Sequence, residues 1–194
     1  MQKKFEIVSK NRKFQGHFAI DVYKVRYEKF EGGFTPIIQR EVFERGSAAG
    51  VLPYDPVRQE VVLIEQFRVG AVNNTKKTPW LFETVAGIIE EGETVEEVIH
   101  REAEEEAGLK IQKLIPLYHY FATPGGSTEE IHLFCGIVDA AQADGIHGLD
   151  EESEDIKVHV FSLQEAFQWL EDGKINNAMA IIALQWLQIH WGEL

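Results

Sequence analysis

Glu102, Glu105 and Glu106 are three carboxylates on a stretch that is otherwise built to face a protein core. They lie in GIIEEGETVEEVIHREAEEEAGL, the 23 residues from Gly87 to Leu109. Thr94 with Glu97 three positions on is a capping box, which satisfies the orphan amides of a first helical turn. Gly108 marks the stop, where a residue able to take a left-handed conformation is wanted. Between them Val95, Val98 and Ile99 recur at helical spacing. At about 100° per residue, Glu102 and Glu106 fall on that same face and Glu105 on its edge. Glutamate runs are ordinarily solvated, and Glu96, Glu97 and Glu104 fit that description. Glu102 and Glu106 do not, because carboxylates are rarely buried unless paired or bound to metal. Arg101 stands beside them, able to hold a carboxylate by a bidentate contact. The chemistry implied is the capture of cations by a carboxylate cluster.

The segment resembles the Nudix box, G-x5-E-x7-R-E-U-x-E-E-x-G-U with U apolar, at every defined position: Gly87, Glu93, Arg101, Glu102, Ala103, Glu105, Glu106, Gly108 and Leu109. The resemblance implies hydrolysis of a nucleoside diphosphate linked to a second moiety, with Mg2+ as cofactor in two or three ions and Mn2+ as the alternative. The implied metal set is the Ala86 carbonyl with Glu102, Glu105, Glu106 and Glu154. Arg101, Glu105 and a loop glutamate, Glu152, are the implied catalytic groups, Glu152 as general base.

Four further segments bear on the substrate. FATPGGSTEE (Phe121–Glu130) is a Pro- and Gly-bearing turn with open backbone amides, and on pattern alone it could equally be a plain hairpin loop. Pro124, fifteen residues past Leu109, and Glu129 match the proline and S/T-E pair of the ADP-ribose pyrophosphatase subfamily. That likeness makes both substrate contacts, with Glu129 toward a terminal ribose. GIHGLDEESED (Gly145–Asp155) holds five acids in six residues, a composition usually left to solvent. The subfamily pattern GL-x-x-E-x-E-D is what places the base at Glu152 and a metal carboxylate at Glu154. Arg40 and Arg68 align with substrate-contacting arginines, Arg40 reaching from a second subunit, and guanidinium forks suit phosphate. Arg45 stays outside the expected site. Glu83 is expected either to touch substrate or to support the ligands from behind.

These side chains need a scaffold. The chain has 194 residues, a 44% apolar fraction and a formal net charge of −13. Such acidity excludes a phosphate-backbone partner, since nucleic acids are bound by basic stripes. No run approaches the ~18 apolar residues of a membrane helix, and MQKKFEIVSKNRKF lacks the apolar stretch of a secretory signal. The one cysteine, Cys135, reads as a buried strand residue, compatible with a reducing cytoplasm.

Strand-like stretches are expected at Phe5–Val8, His17–Tyr27 and Pro36–Glu44, with SKNRKFQG and EKFEGGFT as turns. They form a small N-terminal antiparallel sheet domain, residues 1–45, too small to be comfortable alone. Residues 46–194 form the catalytic domain. Its expected strands are Ala48–Pro53, Glu60–Gln66, Leu81–Gly87, Lys113–Phe121, Ile131–Val138 and Ile156–Ser162. Further helices are expected from the capping pair Ser162/Glu165 to about Asp172, and over Asn177–Trp191. The fold class is α+β with a mixed sheet between helical layers. The resemblance agrees, implying an α/β/α sandwich and a homodimer that exchanges the N-terminal sheet. The substrate reading is ADP-ribose, cleaved to AMP and ribose 5-phosphate. The alternatives are GDP-mannose or another nucleotide sugar and, outside enzymes, a nucleotide sensor.

Overall fold

The computed structural model describes residues 3–73, 78–149, 151 and 153–194. The chain divides into two compact units. One comprises residues 1–47 with 120–130, the other residues 48–119 with 131–194.

The first unit is a three-stranded antiparallel sheet of β1 (Phe5–Gln15), β2 (Ala19–Tyr27) and β3 (Ile38–Glu44), in that order. β1 corrects the sequence expectation. It does not stop at Val8 but runs on through SKNRKFQ, and register shifts between Ile7 and Ser9 and between Arg12 and Phe14 absorb the irregularity. The polar residues of that stretch read as a turn, yet they serve as cross-strand partners. Lys10 meets Asp21 at 3.1 Å and Glu44 at 3.0 Å, and Arg12 donates from Nη2 to Asp21 at 3.0 Å. Asp21 is buried, and the hydrogen bonds from Arg12, against the opposing effect of burial, hold its carboxyl down at about 2. The turn 120–130 joins this unit because the amide of Phe43 donates to Gly126 O at 2.8 Å and that of Thr128 to Phe43 O at 3.0 Å.

The second unit is an eight-stranded sheet between helices. Its path is β10 (Ile146–His147), β11 (Ile156–Ser162), β5 (Glu60–Phe67), β4 (Ser47–Asp55), β9 (Glu130–Ile137) and β8 (Lys113–Phe121). The expected single strand Leu81–Gly87 is instead two, β6 (Trp80–Glu83) on β5 and β7 (Val85–Ile88) on β4. The chain changes partner at Thr84, a switch that a continuous apolar run does not announce. β10 was likewise hidden, two residues inside a Gly-punctuated stretch.

Alternate residues of β4 face opposite layers. Val51 packs with Val98, Ile99 and Ala103 of α1 (Val95–Ala107). A Cβ on its neighbour Gly50 would lie 3.0 Å from Met179 Sδ of α3 (Ala178–His190). α2 (Leu163–Glu171) precedes α3 and packs against it. The α/β/α sandwich therefore holds, with α1 on one face. No helix among the described residues is long and apolar enough to cross a membrane.

α1 starts and stops as its residues dictate. Thr94 accepts from the Glu97 amide, the Glu97 carboxylate accepts from the Thr94 amide at 2.8 Å, and Gly108 closes the helix at φ 63°. Thr94→Ala removes that cap, so urea denaturation should show about 1 kcal/mol less stability. An unchanged midpoint would mean the cap contributes nothing here.

Candidate active site

α1 lies along β7, and the carboxylates collect at that seam. Glu106 is 3% exposed, and its Oε2 accepts from the Ala86 amide at 3.0 Å. Burial pushes its carboxyl up to about 8. The Ala86 hydrogen bond opposes the shift, the charges of Glu102 and Glu154 add to it, and Arg68 opposes it. Glu102 is also raised, by burial first, with Arg101 pulling the other way. Gly87 leaves room for this carboxylate. A Cβ at that position would overlap the Glu102 carboxylate.

Arg101 ties three carboxylates together. Nε and Nη2 meet the two oxygens of Glu93 at 3.1 and 3.2 Å, and Nη1 reaches Glu102 at 2.7 Å and Glu105 at 3.2 Å. These contacts, Glu93 foremost, raise the guanidinium pKa further above its already high value. Among the described residues, no three His, Cys, Asp or Glu side chains converge on a single point as a ready cation cage. Arg101 takes up oxygens that such a cage would use.

Arg68 and Glu83 form a second charged pair at the same edge. Arg68 donates from Nε and Nη2 to Glu83 Oε2 at 3.0 and 2.7 Å. Burial works against the Arg68 charge, but Glu83 outweighs it and raises the pKa, with Glu106 and Glu154 acting in the same sense. Glu154 follows Ser153 (φ 57°), and its amide donates to Leu149 O at 3.2 Å. Gly148 (φ 102°) lies so close that a Cβ there would come within 2.7 Å of Glu154 Cβ. Glu152 lies outside the described residues.

The second unit thus brings together Arg68, Glu83, Ala86, Arg101, Glu102, Glu105, Glu106 and Glu154. The first unit carries Arg40, Pro124 and Glu129. Arg40 is exposed on β3 and donates to Gln39 O at 2.8 Å. Pro124 sits in a turn closed by the Gly126 and Ser127 amides on Thr123 O, at 3.1 and 3.0 Å. Glu129 pairs with Arg45 at 2.8 Å, and Arg45 stacks over Phe18, 5.3 Å from its centroid. Sequence reasoning left Arg45 out of the site. The apolar and charged neighbours it joins are far apart in the chain, so no local pattern signals the contact.

Set beside known proteins, residues 44–183 match the family model described as NUDIX domain. The chain belongs to the Nudix family. It is 53% identical over 185 residues to the ADP-ribose pyrophosphatase of Escherichia coli strain K12, covering 95% of this chain and 88% of that one. It is 38% identical over 151 residues to the GDP-mannose pyrophosphatase of Klebsiella pneumoniae, covering 77% of this chain and 75% of that one. A solved structure titled ADP compounds hydrolase superposes with a TM-score of 0.70, covering 96% of both chains at 21% identity, a likeness of fold. Within this Nudix protein the box residues occupy the seam of α1 and β7.

The raised Glu106 carboxyl makes stability depend on pH. In the unfolded chain it ionises near the ordinary glutamate value of 4.5, in the fold at about 8. Its contribution is complete below 4.5 and is lost as pH rises to about 8. Cation-free protein followed by thermal denaturation should therefore lose stability across that window, and Glu106→Gln should flatten the profile. Identical slopes in the two proteins would remove Glu106 as the cause.

Proposed function

We propose that the protein hydrolyses the diphosphate of ADP-ribose to AMP and ribose 5-phosphate, with a divalent cation as cofactor. The observation that carries this reading is the carboxylate cluster on α1, with Glu106 buried at its centre, in a chain that resembles a named ADP-ribose pyrophosphatase over nearly its whole length. The donors present are oxygens only: the Glu102, Glu105, Glu106 and Glu154 carboxylates and the Ala86 carbonyl. That set suits a hard cation, Mg2+ or Mn2+, in two or three ions. A buried carboxylate with, among the described residues, a single backbone donor and no cationic side chain bonded to it also wants positive charge. Bound cations would neutralise the diphosphate and make its phosphorus more open to attack by water.

The chain's own residues do the rest. Arg101 restrains Glu102 and Glu105, so their oxygens are held in place before any ligand arrives. Arg68, fixed by Glu83, presents a cation beside the cluster for the substrate's phosphates. Glu152, assigned as base by the motif, takes a proton from the attacking water as the bridging P–O bond breaks. Pro124 and Glu129 are assigned to the substrate's ribose end.

We assign residues 1–45 to a homodimer contact, with residues 46–194 as the catalytic domain. Phe5 at 73% and Phe14 at 62% exposure leave apolar surface on β1 that a second copy would cover, and Arg40 of that copy would then meet the substrate. Buried, unpaired Cys135 is compatible with the reducing cytoplasm assigned as its compartment. A second reading, GDP-mannose, is favoured by the Klebsiella relative, at a lower identity and over less of the chain.

With Mg2+ in excess, ADP-ribose should be cleaved faster than GDP-mannose, NADH or diadenosine polyphosphates, read by phosphatase-coupled phosphate release. Glu152→Gln should bind ADP-ribose normally and turn over roughly 100-fold more slowly. Preference for GDP-mannose would move the substrate assignment, and silence on every compound would leave a sensor.

A further inference from the structure

Asn177 belongs to no motif, yet it is bonded at both ends. Its Oδ1 accepts from the Met179 and Ala180 amides, at 3.0 and 3.5 Å, and so caps the N-terminus of α3. That assignment fixes the other end of the amide as a donor. Nδ2 donates to Glu83 Oε1 at 2.9 Å. Glu83 itself is 2% exposed, and its other oxygen takes both Nε and Nη2 of Arg68. The chain of contacts is therefore helix dipole, Asn177 amide, Glu83 carboxylate, Arg68 guanidinium, spanning 94 residues of sequence at the Asn177–Glu83 step. The Arg68 side chain is still 44% exposed, so the end of the relay is open to a ligand.

A cap alone does not require asparagine. Serine or aspartate would satisfy the α3 amides as well. What neither supplies is a second atom beyond the capping oxygen that can donate to a buried carboxylate: aspartate has no donor, and serine carries only the one short hydroxyl that makes the cap. Without the Asn177 donor, Glu83 Oε1 loses the one partner it has among the described residues, and the carboxylate is free to rotate and draw Arg68 with it. We infer that Asn177 is a positioning residue for the nucleotide-sugar site, holding Glu83 in the one orientation that presents Arg68 to the substrate's diphosphate. The inference rests on the reading of Arg68 as a diphosphate contact.

The test uses Asn177→Ser and Asn177→Asp in the full-length protein. Both keep the cap. Serine removes the Nδ2 donor that reaches Glu83, and aspartate sets a second carboxylate against it. Each should lower the thermal midpoint by a few degrees, as a buried carboxylate oxygen without its donor requires, while raising KM for ADP-ribose on the order of tenfold, with kcat within about twofold. In a Glu83→Ala background, Asn177→Ser should add nothing further to KM, because both changes cut the same relay. A wild-type KM in both variants, or KM effects of Asn177→Ser and Glu83→Ala that simply add, overturns the inference. A loss of kcat and stability together with unchanged KM overturns it too, because that is the signature of a helix cap alone. The wild-type substrate panel tests the functional reading separately. If GDP-mannose is the better substrate, the same KM shifts are read with it, since the diphosphate is common to both. A wild-type protein inactive on every nucleotide sugar overturns the functional reading and this inference with it.

Discussion

A carboxylate taken out of water without a counter-charge is the constraint on which the rest of this structure turns. Glu106 sits on the apolar side of α1, with Val98, Ile99, Ala103 and Ala107, and among the described residues its hydrogen-bond partner is one backbone amide. Such a placement destabilises the charged form, and the carboxyl responds by holding its proton to about 8. A chain selected for stability alone would place an alanine or leucine there. The cluster instead stores an unmet demand for positive charge, and Arg101 and Arg68 meet it only in part, from the two sides. The surrounding elements make sense in that light. Gly87 leaves room for Glu102, the capping box fixes the start of the helix, and Gly148 lets the chain pass close to Glu154.

Two arginines divide the electrostatic work. Arg101 lies on the same helix as Glu102 and Glu105, and Glu93 stands just before that helix, so its contacts are local in sequence. Arg68 directly follows β5 and depends on long-range partners, first Glu83 on β6 and then Asn177 at the entry to α3. The site is thus stabilised by one layer of the sandwich and aimed by the other. The asymmetry suits an acidic protein acting on an anionic substrate, where free guanidinium would otherwise be neutralised by the nearest carboxylate. Fixing that carboxylate from behind keeps the arginine available.

What the sequence made legible was local. The cap, the stop glycine and the periodicity of α1 are short-range devices, and the box motif lies within them, so the helix and its carboxylates could be read directly. The strand Lys113–Phe121 was equally clear from its run of apolar and aromatic residues. Failures came where partners are distant. Lys10 and Arg12 made β1 look like a turn because Asp21 and Glu44, which pair with them, lie on other strands. The change of partner at Thr84 depends on β4 and β5 together, and no property of residues 81–87 encodes it. Asn177 was read as the first residue of a helix, when its side chain is the cap and its second bond goes to a strand far back in the chain. The pairing of Arg45 with Glu129 was lost for the same reason.

The central claim is that the α1 cluster is a site for divalent cations, with Glu106 at its heart. The direct measurement is the thermal midpoint of EDTA-stripped protein at pH 8, with and without millimolar Mg2+, in wild type and in Glu106→Gln. The account predicts that Mg2+ raises the wild-type midpoint in a saturable way and leaves the variant nearly unmoved. No shift in wild type, or an equal shift in both proteins, would contradict it.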